Sequence, residues 1–564
     1  MPDLNGHSGL ILAVFIIVSA FVIWPVRIPF LGFIQTALLK TCKALRIIGP
    51  QDYTRLSKKR LYFPLSLKTA PPIGVLLLLA TTTINGSTIA LGVKGDNTVK
   101  PYDVLVLFIS LAYISIALDG TGAIEAVAFW VSKRGGTSGV RLFTYLYLFF
   151  LGVGCIVGND PLILSGTPFL AYLTNRTGIE PTAWVFSEFM AANVASAVLV
   201  SSNPTNILVA GSFQLNYLTG FTKWTVLPSI IPAIANYPIL LAMFWNKIPK
   251  TLTPVQDNPW DKLRDRPGAA FFSVLMVITV AVLVGTSFVP GHSVDVWMVT
   301  APAGILAFAF DLFSDITRPK VRSEAERRFS VAPETGKVKV DKELLPDANI
   351  PEKQEDISPV ADQSLSGSSP DLKPSEKEPA TLFSFFRWFK GRFPGTTLTI
   401  TRLPIPLLPF AICEFILVRG LSQRNWISVF AHGFSNACST PLNTVFFFGF
   451  VCAAFLCPLA GTNIGATIIL VEILQDPAFQ NSPAVTADPK ILLAAIYAVA
   501  MGSNLGAFSY TFAGSLAGLL WKGLLADKGI HISQLKFAVV NVFPLLVQTT
   551  IACAIIYGEL YWFS

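Results

Sequence analysis

What most constrains this chain is the recurrence of apolar runs of a dozen to two dozen residues along nearly its whole length. Runs at 8–24, 71–93, 102–119, 141–157, 183–200, 225–246, 267–288, 295–313, 403–418, 441–457, 488–502, 505–521 and 537–561 carry few charges. A hydrocarbon core about 30 Å thick takes ~20 such residues as a helix. Other runs, at 121–132, 207–219 and 424–437, are too short to cross alone. They read as half-helices or re-entrant arms, which a bilayer tolerates only where they line a cavity enclosed by protein. Composition sharpens this. Charged residues are 13% of the 564, against roughly a quarter in a soluble domain. The chain also has 43 Phe and 11 Trp to bury. A soluble cytosolic enzyme and a globally disordered chain are both excluded. The expectation is an all-α polytopic, multi-pass integral membrane protein of about 12–14 spans, at ~20 residues per crossing plus loops. Residues 8–24 read as a retained span, because no basic stretch precedes them and no small-residue cleavage site follows.

The net charge of +8 (42 Lys+Arg, 34 Asp+Glu) does not indicate nucleic acid, since no basic patch is interleaved with aromatic residues. It marks loops. Loop 25–70 (Arg27, Lys40, Lys43, Arg46, Arg55, Lys58, Lys59, Arg60, Lys68), loop 247–266, the 314–383 segment and loop 522–536 hold the basic residues and are expected on the cytoplasmic side. Both termini are then expected on the other side. An even number of crossings is needed between residues 70 and 247. This makes 121–132 a crossing or half-crossing and leaves Lys133 and Arg134 on the wrong side.

The seven Cys include no CxxC pair, and the four His no HExxH. No GxxxxGK[ST] phosphate loop and no nucleophile–base pair stand out, so no metal, cofactor or enzyme activity is expected. Five regions follow: a span and basic loop (1–70), a first repeat with its preceding span (71–246), a loop and two-span hairpin (247–313), a Pro/Ser/Asp/Glu-rich cytoplasmic linker too poor in aromatics to form a core (314–383), and a second repeat (384–564).

The two repeats share an order of motifs. DVLVLFISLAYISIALDGTG, LFFLGVGCIVGNDPLILSGTPFL and FMAANVASAVLVSSNPTNILVAG are followed later by IPLLPFAICEFILVRGLSQ, FVCAAFLCPLAGTNIGATIILVEIL and AVAMGSNLGAFSYTFAGSLAGLL. Asn159 aligns with Asn463, and Asn193 with Asn504. With the linker cytoplasmic, the copies enter from opposite sides, as in the inverted repeats of secondary transporters. Each copy is interrupted twice. GNDPLILSGTP (158–168) and GTNIGAT (461–467) read as tips of re-entrant hairpins, and SSNPTN (201–206) and SNLGAFSYTFAGS (503–515) as mid-span breaks. Such breaks expose helix N-termini and freed backbone groups to a cavity. The candidate substrate-binding residues are Asn159, Thr167, Asn193, Ser202, Asn203, Thr205, Asn206, Thr462, Asn463, Ser503, Asn504 and Ser515. Asp160, at the first tip, is the candidate proton-coupling group, because acids inside a membrane are costly and functional by default. Glu188, Glu414 and Glu472 are further acids in apolar runs, and a bridge between Asp119 and the aligned Arg419 is a candidate ion pair.

At these residues the sequence resembles the ion transporter superfamily, most of all its arsenical-pump membrane subunit and citrate-transporter-like branch. Asn159-Asp160 through Thr167-Pro168 is similar to that family's first hairpin. Ala192-Asn193 leading to Ser202-Asn203-Pro204-Thr205-Asn206 is similar to its first broken helix. Gly502-Ser503-Asn504-Leu505-Gly506 with Gly514-Ser515-Leu516-Ala517, Leu520-Trp521 and Gly529-Ile530 resembles its C-terminal signature. Gly461-Thr462-Asn463 departs from the paired Asn at its second hairpin tip. The resemblance implies a secondary transporter working by alternating access, ion-coupled as an antiporter, on a small oxyanion or neutral hydroxide (arsenite/antimonite or silicic acid) or, alternatively, a di- or tricarboxylate. Its implied partners are H+ or Na+ as coupling ion, the lipid bilayer and a second copy of the chain in a homodimer. The plasma and vacuolar membranes are both open.

Overall fold

The computed structural model describes residues 4–95, 100–252, 258–286, 288–289, 295–319, 382–405 and 407–563. The protein is all-α and polytopic. Among the described residues nine helices are long and apolar enough to cross a bilayer, from Gly6–Ile23 to Gln534–Trp562. The rest of the expected crossings fall to helices that are short or broken. The only sheet among the described residues is a two-stranded antiparallel ribbon, Val26–Pro29 with Tyr62–Leu65, in the basic loop.

Each repeat holds one hairpin and one broken helix. The first hairpin joins Gly139–Val157 to Asn159–Thr177. It turns at Gly158, whose φ of +92° disfavours any side chain, and a Cβ there would lie 2.6 Å from the Ser202 carbonyl oxygen. The second joins Pro441–Leu459 to Asn463–Gln475 and turns at Gly461, φ +88°. The first broken helix runs Thr182–Ala195, leaves helical geometry, and resumes at Pro204–Ser212. The second runs Lys490–Leu505, passes through two single 3-10 turns, and resumes at Leu516–Asp527. Each resumption has a mechanism. The Asn203 side chain caps Thr205 N and the Ser515 hydroxyl caps Gly518 N, while Thr462 caps Gly465 N in the second hairpin.

The halves pack through aromatic rings. Phe189 of the first broken helix stacks on Trp521 of the second at 4.7 Å, and Phe186 meets the same ring edge-on at 5.3 Å. Within a bilayer such contacts stabilise by dispersion and close fit, since lipid tails are as apolar as the side chains themselves.

Polar contacts sort the loops into two faces. On one, Arg264 pairs with Glu125, Arg318 with Asp265 and Arg402 with Asp119, and Lys247 pairs with Glu180. On the other, Lys100 pairs with Asp295, Thr88 bonds Gln423, and the Trp426 indole donates to Ser8 O. The first face collects the basic loops.

This sorting corrects the expected crossing at 121–132. The helix there, Ala123–Gly135, touches loop 247–266 at both ends. Arg264 N donates to Thr121 O at 2.9 Å, and Leu252 N donates to Thr137 O at 2.8 Å. One loop cannot sit on both sides of a bilayer, so this helix lies along the basic face. Lys133 and Arg134 therefore stay with the other cations. Parity is kept because the hairpin Gly139–Thr177 returns to the face it left. The linker expected at 314–383 lies outside the described residues over 320–381. At its edges, Val296–Thr317 remains helical to Thr317 and Leu382–Arg392 is helical.

Candidate functional site

The two hairpin tips and two breaks meet in one buried polar seam. Its hub is Asn504, in the last turn of Lys490–Leu505 and fully buried. Its Oδ1 accepts from Asn203 Nδ2 at 2.9 Å and from Ser196 Oγ at 3.1 Å. Its Nδ2 donates to Asn206 Oδ1 at 2.6 Å and to Ala500 O at 2.9 Å. Asn206 Nδ2 in turn donates to the carbonyls of Ser196 and Leu199, which the break frees from helical bonding. Ser503 Oγ donates to Thr205 Oγ1 at 3.2 Å and Asn463 Nδ2 to Ser503 O at 3.2 Å. Asn159 Nδ2 donates to Asn193 Oδ1 at 3.0 Å, tying the first tip to the first broken helix. A buried amide offers two donors and two acceptor sites; in this seam the bonds of Asn504 with Ser196, Asn203 and Asn206 and of Ser503 with Thr205 cross between repeats.

A cavity of about 1020 Å3 reaches this seam from the basic face. Asn159, Asp160, Ser201, Ser202 and Asn203 line its inner end, and Lys68, Arg402 and Lys528 line it nearer the loops. Asp160 is half-buried, and its backbone N–H is held by Asn159 Oδ1 at 2.9 Å. Its carboxylate makes no hydrogen bond among the described residues. Apolar walls from Leu107, Phe108, Leu111 and Leu516 enclose the rest.

The candidates thus divide. Asn159, Asp160, Ser202 and Asn203 line the cavity. Asn193, Thr205, Asn206, Asn463, Ser503 and Asn504 form the seam behind it. Thr462 and Ser515 hold helix N-termini, and the Ser515 hydroxyl also donates to Ala507 O. Thr167 stands apart: its hydroxyl lies 3.0 and 3.1 Å from the two oxygens of the fully buried Glu188. Neither Glu188, Glu414 nor Glu472 lines the cavity.

The ion pairing differs from the one expected. Asp119, 1% exposed, takes Arg402 Nη1 at 3.0 Å, and Arg419 pairs with Glu472 at 3.4 Å. Aligned positions of inverted repeats lie toward opposite faces, so Asp119 and Arg419 do not meet. Arg402 is the cavity-lining charge that reading the repeats missed. It ends the short helix Pro394–Arg402, which Asp315 fixes by accepting from Gly395 N and Thr396 N at 3.0 and 2.8 Å. The signal in the sequence was a single Arg closing TTLTITR just before an apolar run.

Residues 62–329 match the family model described as citrate transporter, CitMHS. An arsenical pump membrane protein of Escherichia coli is 30% identical over 209 residues, 36% of this chain and 47% of that protein, and one of Yersinia enterocolitica matches to the same extent. An uncharacterized transporter of Mycobacterium tuberculosis is 24% identical over 185 residues, 32% of this chain and 43% of that one. The chain spans about half the length of the curated relatives it matches. Among solved structures, the YdaH transporter of Alcanivorax borkumensis aligns over 99% of both chains at 12% identity, with a TM-score of 0.49. The family model and the relatives agree with the resemblance carried by the motifs: this chain is similar to the ion transporter superfamily, in its citrate-transporter and arsenical-pump branch.

Proposed function

We propose that the chain is a secondary active transporter that moves a small oxyanion or neutral hydroxide, of the arsenite/antimonite or silicic acid type, by alternating access. The observation that carries this reading is the convergence of both breaks on Asn504, directly behind the inner end of a cavity entered from one face. Neutral amides and hydroxyls dominate that end, which suits a cargo rich in hydroxyl groups and poor in charge. Asp160 is the coupling group for H+, with Na+ as the alternative ion. With the basic loops on the cytoplasmic side, the cavity is the cytoplasmic access route, and the first hairpin enters from there while the second enters from outside. The protein sits in the plasma or vacuolar membrane, as a homodimer, and transports rather than transforms its cargo.

A second reading, a di- or tricarboxylate carrier, is favoured by Arg402, Lys68 and Lys528 in the same cavity. It also accords with the family model matched. The test is uptake by proteoliposomes under an imposed pH or Na+ gradient, comparing arsenite, silicic acid, citrate and succinate, with Asn203→Ala as control. Gradient-dependent flux of one cargo, lost in the control, supports transport and names the substrate. Flux of citrate or succinate alone overturns the neutral-hydroxide reading, and no gradient-dependent flux of any overturns both.

A further inference from the structure

Cys452 and Cys457 lie five residues apart in the outer arm of the second hairpin. On an α-helix, at ~100° per residue, such residues point about 140° apart and their side chains do not meet. Here the segment Val451–Leu456 is a π-turn, a wider coil that brings the two thiols onto one side. Their sulfurs stand 3.9 Å apart and both side chains are fully buried. The site is shaped from the facing helix as well. Cys452 Sγ lies 3.7 Å from Val499 O and Cys457 Sγ lies 4.0 Å from Gly502 O. A Cβ on Gly502 would lie 2.7 Å from Cys452 Cβ, and one on Gly506 would lie 2.5 Å from Cys457 Sγ. Two glycines one turn apart on the second broken helix thus make room for the sulfur pair.

The spacing exceeds the ~2.05 Å of a disulfide. It falls within reach of one thiophilic centre, because two bonds of ~2.3 Å to sulfur span up to ~4.6 Å. Structural zinc takes four ligands, and the described residues contain no group of three His, Cys, Asp or Glu that could begin such a set. A centre satisfied by two sulfurs and one further substituent fits better. We propose that Cys452 and Cys457 form a dithiol site for a trivalent arsenical. With an organoarsenic oxide, both S–H bonds and the As=O unit are exchanged for two As–S bonds and one water. The two protons leave in that water, and arsenic stays trivalent, so no oxidant or reductant is needed. Closing such a bridge would lock the π-turn of the hairpin arm, which lies beside the helix that carries Ser503 and Asn504. The site is separate from the cavity and does not depend on which cargo is moved.

The test is arsenic bound per chain, with phenylarsine oxide added to the purified full-length protein in proteoliposomes and counted by intact-mass spectrometry. The expected result is one arsenical per wild-type chain, removed by a dithiol and not by a monothiol. Cys452→Ser and Cys457→Ser should each lose it, and Cys413→Ser should retain it. Unchanged binding in either single variant, or none to wild type across pH gradients of both signs, overturns the proposal. Cys452→Ala and Cys457→Ala, checked for a cooperative thermal transition, replace any Ser variant that fails to fold. Because the readout is mass rather than flux, its failure is distinct from a failure of the transport reading.

Discussion

Asn504→Ala removes the hub of the seam, and the cost can be worked from its partners. Asn206 Oδ1 loses its donor, and at 0% exposure no water replaces it. An orphaned buried acceptor costs about 1–3 kcal/mol. Asn203 Nδ2 keeps only a long 3.4 Å contact to Ser196 Oγ, so a second bond of ~1 kcal/mol is largely lost. The sum is about 2–4 kcal/mol, concentrated where the first broken helix meets the second. Large membrane proteins unfold irreversibly, so the quantity to measure is the unfolding rate at fixed temperature, from intrinsic tryptophan fluorescence in one detergent. The variant should unfold at least ~10-fold faster if most of that energy is absent from the unfolding transition state. Flux in proteoliposomes should fall by more than the loss of folded protein accounts for. An Asn504→Ala protein with wild-type unfolding rate and wild-type flux would refute the seam as the joint between repeats.

Arg402→Gln leaves Asp119 buried without its cation and should destabilise by about 3–5 kcal/mol. Adding Asp119→Asn should recover most of that loss, and thermal unfolding of the two variants against wild type checks both statements. In the same double variant, succinate or citrate flux should drop while arsenite flux persists, if Arg402 reads carboxylate charge. Gly158→Ala must place a Cβ 2.6 Å from Ser202 O at φ +92°. It should cost at least ~1 kcal/mol from backbone strain alone, read as a lowered thermal midpoint, whereas Gly152→Ala, with open space around it, should not. Asp160→Asn should keep the fold, since its carboxylate faces the cavity. It should also abolish the response of uptake to an imposed pH gradient, and a variant that still follows the gradient would remove Asp160 from coupling.

The hairpins and breaks were legible because helix-breaking residues are rare inside apolar runs. Gly158, Gly461 and Asn203-Pro204 each interrupt one, and the structure bends or breaks at each. That the basic loops gather on one face was legible from charge alone. What stayed hidden were long-range pairings. Arg402 lies 283 residues from its partner Asp119, and nothing in either local sequence names the other. The helix Ala123–Gly135 was misread because a short, mixed-polarity run has the same composition whether it half-crosses or lies along a face. Only its contacts with Thr251–Asp265 distinguish the two. Thr462 and Ser515 read as ligands because capping and ligation call for the same hydroxyl. The sequence pattern of a polar residue at a helix start does not tell them apart.

The seam also bears on how the chain is made. Asn203 and Asn206 bond to a residue roughly 300 positions later, at sequence separations of 301 and 298. At ~5–20 residues per second, a ribosome needs on the order of 15–60 s to supply Asn504 after Asn203 has emerged. Throughout that interval Asn203 Nδ2, Asn206 Oδ1 and Ser196 Oγ of the first half lack their native partner. Hydrocarbon does not accept such groups at low cost. The native hydrogen bonding of the first half is therefore complete only once the second half arrives. Late synthesis, rather than local folding, sets when this protein becomes a single bilayer-embedded body. Substitutions at Asn504 should consequently expose the already inserted N-terminal half to membrane quality control.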